Sequence, residues 1–508
     1  MFIPPFLHYM KQINLLVILA MACITACTRT PSSSSPPAAA ATQPAFTYIS
    51  QEELRQDLFT LSSDEMRGKR AGTVDELRAA AWVAEQARKA GLEPAGDDGT
   101  YFQFFPVART RVADNSTIAV SGKPLTLWED VWVTTPAEAH VDAPVVWLNS
   151  LADTAKHKLQ GKVIAMALQP PMPMPAAGMS LWNYRYVASA LRQQSNALKN
   201  QEAAAILLIT DAEAESDFGF IAHVFEEGTY QLEGDTRGQN NSTPVLLAHS
   251  SVAPSLQKQK VILTATIDVD RYTYPSMNVV ARAPGADPSL RNEHVLFSGH
   301  HDHDGIGAPV NGDSIYNGAD DNASVTVALL AIGRAWVQQP GKRSALFVWH
   351  GAEERGLLGS RWYVEHPTVE KESIVAVLNG DMIGRNAPDS AALLGSIPPH
   401  RNSNALVEMA MQANEQFTNF KIDTSWDEAS HPEGWYFRSD HLPYARAGIP
   451  AIFFTTLLHP DYHTPRDEAE LIDLEKLTKM TRWMYATGWA VSETQQRPAT
   501  DPDAKLER

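Results

Sequence analysis

A chain of 508 residues exceeds what a single compact core organises, so two or three domains are expected. Apolar residues make up 44% and charged residues 20%, a globular composition that excludes a fibre or a disordered chain. A formal net charge of −17 excludes a nucleic-acid binder built on a basic face, and it reports solubility and steering rather than chemistry.

Near the N-terminus Lys11 precedes an apolar run, Ile13 to Ala22, which is short for a membrane span and of the right length for a signal-peptide core. The run leads into Ile24-Thr25-Ala26-Cys27, which resembles the lipobox of bacterial lipoproteins. That resemblance implies that 1–27 is a lipoprotein signal, cut before Cys27, and that acyl chains on this cysteine hold the protein at a membrane without a spanning helix. Thr28 resembles the outer-membrane sorting pattern, which places the protein on the periplasmic side. The one other cysteine is Cys23, so the folded body has no disulfide to form. Residues 28–45, TRTPSSSSPPAAAATQPA, are a Pro/Ser/Ala tether.

The first part of the larger domain is expected over 46–112. It contains an amphipathic stretch from Glu52 to Leu61, then a helix opened by Thr73 and Glu76 as a capping box and closed by Gly91. From about Ala113 short apolar runs alternate with Pro, Asp and Gly, as in Val145 to Leu148, Lys162 to Leu168 and Ala203 to Thr210. One helical stretch, Arg185 to Lys199, interrupts them. Residues 113–265 therefore read as a smaller β-rich domain inserted into the larger one. Over 266–495 strands and helices alternate. His294 to Ser298, Ala345 to Trp349, Ile374 to Leu378 and Ala451 to Thr455 predict strands. Ala323 to Val337, Asn404 to Asn414 and Leu471 to Trp489 predict helices. The fold class is α/β, with a mostly parallel central sheet flanked by helices. A polar tail, 496–508, follows.

Five segments of the C-terminal half concentrate metal-compatible side chains: GHHDHDG from Gly299, NGADDNAS around Asp320 and Asp321, HGAEERGLLGS with Glu353 and Glu354, LNGDMIG with Asp381, and DYHTPRD with His463. Each follows a predicted strand or sits in a loop. In an open α/β sheet the carboxyl ends of the strands form one rim, where such segments converge. Two imidazoles with three carboxylates suit zinc better than calcium, which prefers oxygen alone. A carboxylate that binds no metal is free to carry a proton, and adjacent Glu353 and Glu354 suit that division of labour.

Taken in order, these motifs resemble the M28 family of zinc aminopeptidases and carboxypeptidases, as do SSDEMRGKRAGT and GLEPAGDDGTYFQFF nearer the N-terminus. The inserted region resembles a protease-associated (PA) domain. The resemblance implies two zinc ions, a peptide substrate, and roles residue by residue. His300 and Asp381 would hold the first ion, and Glu354 and His463 the second. Asp321 would bridge them, with a cis peptide bond after it. Asp302 would orient His300 from behind. Glu353 would be the general acid/base and Tyr462 the oxyanion donor, with Tyr436 as a second candidate for that donor. The H-x-D spacing favours His300 over His301 as the ligand, and His303, His350 and His459 read as structural. Where the family often has Ser-Gly, this chain has Ser324-Val325, so the helix there must accommodate a branched side chain. The expected activity is removal of N-terminal residues. Alternatives are a carboxypeptidase, a one-zinc glutaminyl cyclase, and a receptor-like scaffold without catalysis.

Overall fold

A strand that is apolar at consecutive positions needs cover on both faces. In the computed structural model four such strands lie side by side at the centre of a ten-stranded sheet. They are His294–His300, Ser344–His350, Ile374–Gly380 and Ala451–Thr455, and they run parallel. The structure describes residues 43–174, 181–216, 224–235 and 243–507. The expected signal segment with Cys27, and the tether up to residue 42, lie outside the described residues.

Alternation along each strand sorts its side chains between two cores. Val295, Phe297, Phe347 and Trp349 pack on one face with the helices Ser324–Gln338 and Leu474–Glu493. Leu296, Leu346 and Val348 pack on the other, against Tyr363 of the helix Leu358–Glu365 and against Tyr444. Val325 is accommodated by its neighbours: a Cβ on Gly299 would stand 2.5 Å from its side chain, and one on Gly380 2.9 Å away. Glycines at or next to the ends of two strands thus admit the branched residue and let the helix approach closely.

The parallel centre carries antiparallel flanks. Ser390–Leu394 pairs with Ala451–Thr455 on one side, and Val269–Ala283 with Ser344–His350 on the other. Next to the latter lies Phe102–Val112, antiparallel from Phe102↔Val279 to Val112↔Val269. The chain therefore leaves the larger sheet at Val112 and returns through the adjacent strand. Between these points it builds a second, eight-stranded sheet from strands within 117–267. The helix Trp182–Leu198 covers one face of it through Tyr186, Val187, Ala190 and Leu191. One piece of this excursion rejoins the larger sheet: Thr229–Leu232 pairs antiparallel with Phe102–Val112 and forms its edge. Four residues at an edge, running from exposed Thr229 to buried Leu232, carry no periodicity that would announce this.

The helix Val74–Lys89 starts on Thr73, whose Oγ1 accepts from the backbone N–H of Asp75 at 3.2 Å and of Glu76 at 3.4 Å. The reciprocal half of the expected capping box is not made. Glu76 is buried and turns inward, accepting from the Gly72 N–H and the Ser276 hydroxyl, each at 2.6 Å. Burial, reinforced by the Asp302 carboxylate, raises its pKa to about 8. Glu76 thus binds its proton more tightly folded than unfolded. Its contribution to stability is present below the ordinary carboxylate range and is lost as pH rises towards about 8. Glu76→Gln can accept from the Gly72 N–H through its amide oxygen and donate to the Ser276 hydroxyl through its amide nitrogen, without the ionisation. Urea midpoints should therefore show this variant gaining on the parent between about pH 5 and about pH 9, and an unchanged difference would exclude the linkage.

Candidate metal centre

The carboxyl ends of the parallel strands bring the five motifs to one rim. His300 is the last residue of its strand, Asp381 follows Ile374–Gly380 directly, and Glu353 and Glu354 lie just past Ser344–His350. Asp321 sits in the turn that opens the helix Ser324–Gln338, and the Asp321–Asn322 peptide bond is cis. His463 comes from the loop after Ala451–Thr455.

Asp321 faces two ways. Its Oδ1 lies 3.2 Å from His300 Nε2, which in turn is 3.5 Å from Asp381 Oδ1. Its Oδ2 lies 3.2 Å from His463 Nε2, which is 3.3 Å from Glu354 Oε2. Two donor groups thus share one carboxylate: His300, Asp321 and Asp381 on one side, and Asp321, Glu354, His463 and His303 on the other. All five residues expected as ligands are brought together, and His301 is in neither group. Glu353 lies beside them, with Oε2 3.9 Å from His300 Nε2.

Several contacts hold these groups in place. The Asp467 carboxylate accepts the backbone N–H of Asp320 and of Asp321, each at 3.0 Å. Ser439 donates to Asp381 Oδ2 at 2.8 Å and is itself held by Asn379. Asp302 supports His300 differently from the expectation. His300 Nδ1 meets the backbone carbonyl of Asp302 at 3.1 Å, whereas the Asp302 carboxylate is 3.7 Å away. That carboxylate instead accepts the Glu353 N–H at 3.0 Å and so sets the general-base candidate. The tight turn after His300 folds the main chain back under its own ring, which spacing alone does not reveal. His303 is not merely structural: its Nδ1 meets Glu354 Oε1 at 2.8 Å. His350 and His459 stay outside the donor groups, and His350 is bonded to Asn278 and Tyr444.

Sequence reasoning passed over Asp304, whose Oδ2 lies 3.0 Å from His463 Nδ1. The only signal was its place in GHHDHDG, two residues beyond Asp302. Tyr462 reaches the site, its ring 4.0 Å from that of His463. Tyr436 does not: it is buried in a core cluster, stacked on His400 at 4.5 Å. Trp435 packs behind Tyr462 at 5.9 Å, so the aromatic cluster forms the backing of the site.

The donor chemistry fits a pair of divalent cations. His300 Nε2, His303 Nε2 and Asp381 Oδ1 are buried without hydrogen-bond partners among the described residues, and each of these residues belongs to a donor group. Such atoms are costly unless a cation takes up their lone pairs. The electrostatics agree. Burial would lower the pKa of His300, yet the carboxylates of Glu353 and Asp381 hold it well above the ordinary imidazole range. His463 is likewise held up against burial by Glu354, Tyr462 and Asp304. Burial pushes Asp321 upwards, but the imidazoles of His300 and His463 against it win and hold it well below the usual carboxylate range. Glu353 goes the other way, raised well above that range by burial and by its acidic neighbours. The site calls for positive charge at its donors.

A cavity of about 760 Å3 opens on this centre. Glu354, Tyr462 and His463 line one side of it, and Tyr184, Arg185 and Ala188 of the inserted domain's helix line the other.

Residues 278–488, which contain every member of the donor groups, match peptidase family M28. Aminopeptidase YwaD of Bacillus subtilis (strain 168) is 31% identical over 191 residues, 36% of this chain and 40% of that protein. Leupeptin-inactivating enzyme 1 of Streptomyces exfoliatus is 33% identical over 174 residues, 34% of each chain. The match thus spans well under two thirds of the length of these curated relatives. The fold extends further. An aminopeptidase from Aneurinibacillus sp. strain AM-1 superposes with a TM-score of 0.56 at 18% identity, covering 90% of this chain and 97% of that one. BSAP, a zinc aminopeptidase from Bacillus subtilis, gives the same TM-score of 0.56 and identity of 18%, with 90% and 99% covered.

Because one carboxylate serves both donor groups, Asp321→Ala should abolish binding of both ions in a metal titration. Asp381→Ala should abolish one only. Loss of a single ion in Asp321→Ala would contradict the shared role.

Proposed function

Because residues 278–488 match peptidase family M28, we propose that the protein is a dizinc aminopeptidase that removes N-terminal residues from peptides. One observation carries this reading: Asp321 faces both donor groups, with Glu353 beside it and a cavity at its mouth. The similar proteins include aminopeptidase YwaD and a zinc aminopeptidase, which supports the substrate class and the metal.

His300, Asp381 and one oxygen of Asp321 would hold the first zinc, and His463, Glu354 and the other oxygen of Asp321 the second. When bound, the ions supply Lewis-acid polarisation of the scissile carbonyl and lower the pKa of a water. The remaining work falls to the chain. Glu353, fixed through its backbone by Asp302, takes the proton released by the attacking water and returns it to the leaving nitrogen. The raised proton affinity of its carboxyl suits the second half of that transfer, in which it must act as an acid. Tyr462 lines the cavity and presents a hydroxyl that can donate to the developing oxyanion. The protease-associated assignment of the inserted domain belongs to this reading and rests on its β-rich texture and position.

Glu353→Gln should retain both ions and lose about 10²- to 10⁴-fold in turnover. Peptides with a free amine should be cleaved and their N-acetylated forms spared. Cleavage of the blocked peptides would point to a carboxypeptidase, and cyclisation of N-terminal glutamine without hydrolysis to a cyclase.

The exported, lipid-anchored state at an outer membrane facing the periplasm is likewise proposed, on the strength of the apolar run and Ile24-Thr25-Ala26-Cys27. Metabolic labelling with a fatty acid should mark the parent and not Cys27→Ala, and that variant should move to the soluble fraction. A labelled Cys27→Ala would remove the anchor from this site.

A further inference from the structure

The inserted domain reaches the metal centre through ions as well as through the cavity wall. Glu227 lies just before the edge strand Thr229–Leu232, and its place is heavily determined. Arg109 Nε donates to its backbone carbonyl at 2.7 Å. Gly228 follows at φ +80°, where a Cβ would stand 2.2 Å from Thr110 O, so only glycine lets the segment lie this close to the strand Phe102–Val112. The Glu227 carboxylate then joins two cations of the larger domain: Arg70 Nη1 at 2.9 Å from Oε1, and Arg355 Nη1 at 3.2 Å from Oε2.

Arg355 carries the connection inward. Its Nη2 lies 3.3 Å from Asp304 Oδ1, and Asp304 Oδ2 lies 3.0 Å from His463 Nδ1. His463 Nε2 faces Asp321 and Glu354. A carboxylate accepting from Nδ1–H keeps the other nitrogen unprotonated and directed at a cation, and such supporting partners affect metal affinity strongly. Asp304 can do this only while its own charge and position are settled, which is what Arg355 provides. Arg355 in turn directly follows Glu354 in the chain. Without Glu227 to hold its far nitrogen, the guanidinium would be free to turn towards the very carboxylates the ion needs. Side-chain exposures of 10% for Arg355 and 15% for Glu227 keep the pair largely out of water, where such contacts are less screened.

We propose that Glu227 is a positioning residue for the second metal: through Arg355 and Asp304 it orients His463, so that this half of the centre is complete only with the inserted domain docked. The inference rests on the dizinc reading, and its test separates the two. Zinc is titrated calorimetrically into the chelator-treated full chain. The parent should bind two ions; fewer than two would sink the dizinc reading itself. Glu227→Gln should weaken one of the two sites by about tenfold or more and leave the other unchanged. Asp304→Asn should weaken the same site, and adding Glu227→Gln to it should cost little more, since both act along one path. Asp235→Asn, which removes a different ionic contact between the inserted segment and the larger domain, at Arg361, should leave both affinities intact. The proposal is overturned if Glu227→Gln binds zinc like the parent, if its effect adds fully to that of Asp304→Asn, or if Asp235→Asn weakens the site equally.

Discussion

The shared carboxylate of Asp321 is the constraint around which the structure is arranged. To face two imidazoles at 3.2 Å each, it must stand between the ends of neighbouring strands with its backbone fixed from behind. Asp467 does this by accepting the N–H groups of both Asp320 and Asp321. A buried carboxylate is tolerable there because backbone donors meet it. The helix that begins at Ser324 adds a favourable field for negative charge at its N-terminal end.

Placing Asp321 this deep requires the helix to lie close upon the sheet. The contact is made by Val325 over Gly299 and Gly380, and each of these glycines is the neighbour of a donor residue, His300 and Asp381. The packing that seats the helix therefore also sets the spacing of the donors. Three of these donors are further held by a group outside the donor set: the Asp302 carbonyl for His300, Ser439 for Asp381 and Asp304 for His463. With their rotamers set in advance, less entropy remains to be lost when ions or substrate arrive.

The inserted domain contributes to the same centre from outside. Its helix Trp182–Leu198 walls the cavity, and Arg185 pairs with Glu433, which also meets Arg438 at 3.2 Å. The edge strand Thr229–Leu232 ties the excursion into the larger sheet. Access to the centre and the setting of His463 both involve a segment far from the motifs in sequence.

Much of this was legible in the residues. Runs such as ALFVWH, covered on both faces, could only be central strands, and acids and imidazoles directly after them could only collect at one rim. That reasoning reached the five segments, and the resemblance to the M28 family then singled out His300, Asp321, Glu353, Glu354, Asp381 and His463 within them. It did not reach what depends on side-chain direction. The inward turn of Glu76, the use of a carbonyl rather than a carboxylate by Asp302, the burial of Tyr436 and the recruitment of Asp304 each follow from which atom faces which. Nor could pattern show that Glu227, separated by 128 positions from Arg355, lies against it. Periodicity and motif spacing act along the chain and determine which residues arrive at the rim. Contacts between distant segments are settled only by tertiary packing, and that packing decided how those residues are held.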